Sequence, residues 1–282
     1  MQIGYLGPAG TFSEEAAIQY SKATQIEDPT FKPFASFFMV ARAVLEQTID
    51  IGILPIENSL EGQVSAANDI LISEGRLFAL GEVILPIKIH LVGKVGIALE
   101  QCNRIYSHPQ PLGQCTEFLR TYFPTIQQIT SMSTSQAVVD MLASPEPALA
   151  LTNELAAFHY GAPILIENVQ DNSTNETRFL TIGLTDHVPT GKDKTNICFT
   201  LPFDEPGVLY KALEPFAFAH INLTRIESRP TKTGLGEYVF LLDMEGHRTE
   251  RTVATVLEQL QQNAQMFRII GSYPAWNGQE PV

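Results

Sequence analysis

Asn175-Glu176-Thr177-Arg178-Phe179 is the stretch from which the rest of the chain can be read. It follows the polar run Gln170-Asp171-Asn172-Ser173-Thr174 and leads into Leu180-Thr181-Ile182-Gly183-Leu184, which has strand character. A hydroxyl and a guanidinium thus sit side by side where a loop enters a strand. Such places hold reactive groups on a rigid support with their tips exposed. Taken alone, the stretch is a polar loop with an ordinary Arg; its neighbours change that reading.

Working back, Ile164 to Val169 reads as a strand returning toward this stretch. Ala148 to Leu151 is a strand, and Thr152-Asn153-Glu154 starts a helix to His159. Ile126 to Thr130 is a strand, followed by Ser133-Thr134-Ser135 as the cap of a helix to about Leu142. Ile105-Tyr106-Ser107 ends another strand, and Ser107-His108-Pro109-Gln110 opens a helix with Pro in its first turn. On that helix Ser107, Gln110 and Gln114 share one face, expected to line a cleft, while Leu112, Cys115 and Leu119 fill an apolar one. Leu77 to Leu85 and Ile87 to Val92 are strand-like on either side of Pro86, which predicts a crossover between two lobes.

Nearer the N terminus, Asp50 to Leu54 is a buried strand ending in Pro55-Ile56-Glu57-Asn58-Ser59, before a helix from about Val64 to Ser73. Open α/β sheets place ligand groups at such strand ends, although Asn58 and Ser59 read equally well as a turn and a helix cap. Ser36 caps a helix to about Gln47. Gln2 to Leu6 is a strand broken by Gly7-Pro8-Ala9-Gly10, and Thr11-Phe12-Ser13-Glu14 fits a capping box opening a helix to about Lys22. Gly4, Gly7 and Gly10 are spaced GxxGxxG rather than GxGxxG, which argues against a dinucleotide site. A helix N-terminus facing a cleft still suits an anion. The βα alternation predicts two α/β lobes around a cleft over residues 1–185.

Beyond the organising stretch, residues 186–194 are polar and breaker-rich and read as a linker. Residues 195–275 then run β, α, β, β, α, β, the ferredoxin-like order. The 282 residues suffice for two or three domains. A net charge of −13 argues against nucleic acid and anionic membrane as partners, so a small anionic ligand must find positive potential locally. Three scattered Cys without CxxC predict reduced thiols in a cytoplasmic protein. No apolar run approaches ~18 residues, and no signal peptide is visible ahead of the first strand.

Taken together, these stretches resemble prephenate dehydratase carrying a C-terminal ACT regulatory domain. The resemblance rests on Gly7-Pro8-Ala9-Gly10-Thr11-Phe12-Ser13, Pro55-Ile56-Glu57-Asn58-Ser59, Ser107-His108-Pro109-Gln110 with Gln114-Cys115, and Asn175-Glu176-Thr177-Arg178-Phe179. In the second domain it rests on Pro206-Gly207-Val208-Leu209 and Glu227-Ser228-Arg229-Pro230. The chain departs from the family pattern at Pro111 and Gly113, where alanines are usual, at Ser135, and at Val208, which stands for Ala in the effector turn.

The resemblance implies a two-lobed catalytic fold like type II periplasmic binding proteins. It also implies conversion of prephenate to phenylpyruvate, water and carbon dioxide, without metal or cofactor, under feedback by L-phenylalanine. Thr177 is implied closest to the chemistry. Thr11, Asn58, Ser59, Ser107, Gln114, Ser133, Thr134, Arg178 and Phe179 are implied to bind substrate. Pro206, Gly207, Val208 and Leu209, with Asn222, Glu227, Ser228, Arg229 and Pro230, are implied to bind the effector between paired ACT domains, in a homodimer or homotetramer. The chemistry asks for uncharged donors in a water-poor cleft. Arg178 would supply positive potential or pair with an acid such as Glu176; Glu57 would supply a proton only if burial raised its pKa. Arogenate dehydratase, and a sensor that binds without chemistry, are the rival readings.

Overall fold

The computed structural model describes residues 1–202, 205–231 and 237–278. In the first lobe the strands lie in the order Thr30–Phe34, Gln2–Leu6, Ile51–Asn58, Glu176–Gly183, Phe78–Pro86. The first three are parallel, whereas Glu176–Gly183 runs antiparallel to both its neighbours. The second lobe orders Ile164–Ile166, His90–Gly93, Ala148–Thr152, Arg104–Ser107 and Gln127–Thr130. The chain crosses between lobes twice, from Pro86 to His90 and from Ile166 to Glu176. The second crossing inserts the organising stretch into the sheet that the first half began. This is the two-lobed architecture the resemblance implies.

The strand Ile51–Asn58 runs four residues beyond the reading that ended it at Leu54. Pro55 cannot donate to a ladder, and the pairing gives way there: Glu57 pairs with Arg178 but Pro55 with Phe179, a bulge that leaves out Ile56. Past it, Asn58 lies opposite Thr177.

Ser36 and Ser133 cap their helices as read, accepting from Met39 N at 3.2 Å and Gln136 N at 2.9 Å. Two readings differ. The Thr11 hydroxyl donates to the Leu6 carbonyl at 3.0 Å instead of capping, and Glu14 reaches back to Gly10 N. The helix after His108 is two helices, Pro109–Gln114 and Thr116–Tyr122. Pro111 and Gly113 weaken the first, and the Asp171 carboxylate accepts from Glu117 N and Phe118 N at 2.9 and 3.0 Å, starting the second afresh.

The C-terminal sheet has the order Leu223–Pro230, Tyr238–Glu245, Asp193–Thr200, Met266–Pro274, with helices Val208–Phe218 and Arg251–Asn263 on one face. Its first strand begins at Asp193, inside the stretch read as linker, because the Asp193 carboxylate closes a turn by accepting from Thr190 N and Gly191 N. The other face, with Cys198, Val239, Leu241, Ile270 and Tyr273, is continuous with the first lobe's core of Val40, Leu71 and Ile182. Backbone meets backbone there: a Cβ on Gly271 would lie 2.3 Å from the Ala79 carbonyl oxygen. Arg268 donates to the carbonyls of Leu71 and Leu77 at 2.9 Å each, satisfying the end of helix Ser65–Ser73. No helix among the described residues is long and apolar enough to cross a membrane.

Candidate active site

Strand alternation divides the organising stretch between two faces. Thr177 and Phe179 point into a cavity of about 390 Å³ between the lobes; Arg178 points the other way. The cavity takes Thr11, Asn58, Gln114, Ser133, Thr134, Thr177 and Phe179 from the residues named on the sequence, together with Phe12, Ser13, Phe37, His108 and Gln110. Leu6, Pro55, Val64, Ile87 and Met132 add apolar wall. Across the back of the cleft Ser135 Oγ donates to the Ala9 carbonyl and Asn153 Nδ2 to Glu15 at 3.0 Å, so the lobes are hydrogen-bonded to each other. Gly10 sits at that contact with φ of 82°, where a Cβ would lie 2.8 Å from Ser135 Oγ.

One hydrogen-bonded chain fixes the polarity of the site. Asn58 Oδ1 accepts from Leu60 N at 3.0 Å and Glu61 N at 2.9 Å, and backbone amides only donate, so the carboxamide orientation is determined. Its Nδ2 then donates to Thr177 Oγ1 at 2.9 Å and Asn175 Oδ1 at 2.8 Å. Since Thr177 Oγ1 receives that proton, its own O–H is free to donate into the cavity. Asn175 in turn donates to Gln114 Oε1 at 3.1 Å, and Gln114 Nε2 is left buried with no partner. A buried donor without a partner is costly, and a ligand oxygen would satisfy it.

The described lining carries no Lys or Arg and no Asp or Glu. Burial pushes the His108 imidazole below its ordinary value, so it is neutral near pH 7. Positive potential comes instead from backbone: Thr11 makes no side-chain cap, so the first-turn N–H groups of helix Phe12–Ala23 are open at the wall that Thr11, Phe12 and Ser13 form.

Three residues named on the sequence stand elsewhere. Ser107 is the last residue of a strand rather than the first of a helix, and its hydroxyl donates to the Leu151 carbonyl at 2.8 Å within the sheet. Ser59 is exposed and accepts from Glu176 N at 3.0 Å, joining the two strand ends. Arg178 is held by Glu82 at 2.7 Å, by Asp243, and by the Tyr273 hydroxyl at 2.7 Å; its partners are these and not Glu176. Glu57, opposite Arg178, shares that outer face, which removes it as a proton source for the cavity. Burial pushes the Glu82 carboxyl up, but Arg178 and Lys194 beside it more than offset this and hold it below the usual carboxylate range. Cys115 is core, its thiol pushed by burial to about 12.

In the C-terminal domain Gly207 has φ of 82° and opens helix Val208–Phe218 without a side-chain cap, next to exposed Pro206. Leu209 packs on the domain core. Along Leu223–Pro230 the residues alternate: Ser228 and Pro230 are exposed, whereas Glu227 pairs with Arg225 at 2.7 Å and Arg229 is buried. Arg229 donates to the Ser65 carbonyl at 2.6 Å and pairs with Asp69 at 2.8 Å. Its guanidinium therefore docks the two domains and is not offered to an effector. Asn222 donates to Glu245 at 3.0 Å, at the opposite end of the sheet from Gly207.

Asn175 was quoted within its stretch but given no role by the sequence reading, and Phe37 was not singled out at all. The only sequence signal for Asn175 was its place two residues before Thr177.

The sequence pattern of the prephenate dehydratase family matches residues 3–187, and that of the ACT domain residues 197–262. Over 274 residues the chain is 38% identical to the bifunctional chorismate mutase/prephenate dehydratase of Aquifex aeolicus, covering 97% of this chain and 74% of that one. The structure of Arthrobacter aurescens prephenate dehydratase in complex with L-Phe is similar with a TM-score of 0.90 and 33% identity, covering 100% of this chain and 92% of that one. The structure of GqqA, described as a novel type of quorum quenching acylase, is similar with a TM-score of 0.86 and 28% identity, covering 98% of each. With both domains matched in order and the cavity built from the matched stretches, the chain belongs to the prephenate dehydratase family.

Proposed function

We propose that this chain is a carbon–oxygen lyase of the cytoplasm that converts prephenate to phenylpyruvate, water and carbon dioxide, with Thr177 as the donor to the departing hydroxyl. The observation that carries the assignment is the Asn58-to-Thr177 hydrogen bond, which turns the Thr177 proton toward the cavity. Electrons of the breaking ring–carboxylate bond move through the diene and expel hydroxide from the opposite carbon. A hydrogen bond aimed at that oxygen favours the transition state over the ground state, because charge grows there during the reaction. The drive toward an aromatic ring is internal to the substrate.

The ring carboxylate gains by leaving water, and Phe12, Phe37, Phe179 and Val64 supply an apolar surround for it. The side-chain carboxylate is given to Gln114 Nε2 and to the open N–H groups near Thr11. Gln110, Ser133 and Thr134 complete the polar wall. Arogenate differs by an ammonium on the side chain, and a lining without Asp or Glu offers that charge no partner. This supports prephenate as the substrate. An acylase would need a nucleophile hydrogen-bonded to a base. His108 Nδ1 accepts from Gln110 N, while the hydroxyls of Thr11, Ser133 and Thr177 bond to the Leu6 carbonyl, Gln136 N and Asn58 Nδ2 instead.

L-Phenylalanine is assigned to a site shared by two chains. Seven residue steps of ~3.4 Å put Asn222 about 24 Å from the Gly207 end of the sheet within one chain. Antiparallel pairing of two Leu223–Pro230 edges in a homodimer, or within a homotetramer, brings Asn222 of one chain toward Pro206 and Gly207 of the other. Residues 186–194 and 195–275 are taken as linker and effector domain in this reading. Arg178, held by Asp243 and Tyr273 of the effector domain and adjacent to Thr177, offers the physical link between the sites. The test is turnover of purified protein with prephenate and with arogenate, each with and without L-phenylalanine. Prephenate turnover suppressed by L-phenylalanine is the expected result; a higher kcat/KM for arogenate would overturn the substrate assignment.

A further inference from the structure

We propose that Asn175 is a positioning residue for the reaction: borne on the return crossover, it carries the polarity of the first lobe's Asn58 across to the second lobe's Gln114. The inference rests on the substrate reading above. Asn175 is 2% exposed. Its carboxamide spans the two lobes, accepting from Asn58 Nδ2 at 2.8 Å and donating to Gln114 Oε1 at 3.1 Å.

Each amide in this chain has a single consistent orientation because the first is pinned by backbone. Leu60 N and Glu61 N make Asn58 Oδ1 an acceptor, so Asn58 Nδ2 donates. Asn175 must meet that donor with its oxygen, and therefore presents Nδ2 to Gln114. Gln114 must answer with Oε1, which leaves Nε2 as the unpartnered donor at the cavity wall. Reversing Asn175 alone would set nitrogen against nitrogen at Asn58 and oxygen against oxygen at Gln114. The residue that binds nothing itself thus decides whether the second lobe offers a dianion a donor or an acceptor. It also keeps Asn58 Nδ2 in place beneath Thr177 Oγ1, to which it donates at 2.9 Å.

Asn175→Asp tests this with little change of shape. An ionised carboxylate has no proton to give, so Gln114 turns its Nε2 toward Asp and its Oε1 toward the substrate. A protonated carboxyl has one accepting oxygen and one O–H, the polarity of Asn. Burial raises a carboxyl pKa, which brings the change within the range where the enzyme can be assayed. We expect kcat/KM of the variant to lie about 10- to 100-fold below the parent at pH 8 and to climb toward it as pH falls to 5. Glu57 and Glu61 beside Asn58, His108 and Cys115 on the segment of Gln114, and Asp171 and Glu176 beside Asn175 are the titratable groups on the adjoining segments, so the variant is read as a ratio to the parent at each pH. A structural role alone lowers Tm and leaves that ratio flat.

Gln114→Glu, at a half-buried position, is the companion variant. Its second oxygen replaces the cavity donor, and the same recovery at low pH is expected. A flat ratio for both variants, or parental kcat/KM at pH 8 for Asn175→Asp, would overturn the proposal. Should Asn175→Asp not fold, Gln114→Glu alone decides it by the same ratio. Failure of the substrate reading is separately visible, since the parent would then turn over no prephenate.

Discussion

Thr177→Val removes a hydroxyl while keeping the β-branched shape that fits a strand. Two consequences can be worked from the structure. For stability, Thr177 Oγ1 is one of three acceptors of Asn58 Nδ2, the others being Asn175 Oδ1 at 2.8 Å and the Glu176 carbonyl at 3.2 Å. Two remain after the substitution, so the loss is about 1 kcal/mol or less, a Tm change of ~2–4 °C at this size. For catalysis, the lost group is a donor aimed at developing charge, an effect worth about 10²–10³ in kcat. The two estimates separate the roles by scale. Phenylpyruvate formation measured against prephenate concentration, beside a thermal melt, checks both. We expect kcat to fall at least ~100-fold with KM little changed, because the bond strengthens chiefly in the transition state. Thr177→Ser, which keeps the O–H, should stay within about tenfold of the parent. A Thr177→Val kcat within tenfold of the parent would refute the donor role.

Tyr273→Phe takes one 2.7 Å hydrogen bond from Arg178 without opening a cavity; L-phenylalanine should then need about fivefold more for half inhibition while kcat barely moves, as inhibition curves would show. Gly10→Ala forces φ of 82° on an L side chain, at about 1–2 kcal/mol, and pushes against Ser135 across the lobe contact. A lower Tm and a higher KM are expected, and an unchanged KM would mean the lobes are not set by this contact. Glu82 titrates below the ordinary carboxylate value when folded, so its contribution is complete above pH ~4.3 and lost as pH falls through the folded value. Melts from pH 6 to 3 should therefore fall more steeply for the parent than for Glu82→Gln.

The lobes, the crossover near Pro86 and the βαββαβ domain were legible because each rests on local signals: period, caps and breakers. Thr177, Asn58 and Gln114 were legible through their stretches. Arg178 was not, because its role depends on which sheet packs behind the strand, and Asp243 and Tyr273 are remote in sequence. Ser107 was read both as a strand's end and on the cleft face of the following helix; the strand reading holds and the helix face does not, because a strand's last residue and a helix's first look alike beside a Pro. Arg229 and Asn175 were obscured differently. Both are polar groups in matched stretches, and only their partners show that one docks a domain while the other turns an amide.

The alternation along Glu176–Gly183 has a bearing on how such a chain can vary. Asn58 and Thr177 meet on the inner face, Glu57 and Arg178 on the outer. Losing or gaining one residue in either strand would exchange the faces, sending the guanidinium into the cavity and the hydroxyl toward the neighbouring domain. Point substitutions can retune either face by itself, but length changes are confined to pairs of residues or to the loops beyond. The bulge at Pro55 already uses one such step, which is why Asn58 comes into line with Thr177 at all. Engineering of effector response in this scaffold therefore has independent handles one residue apart, provided that parity is kept.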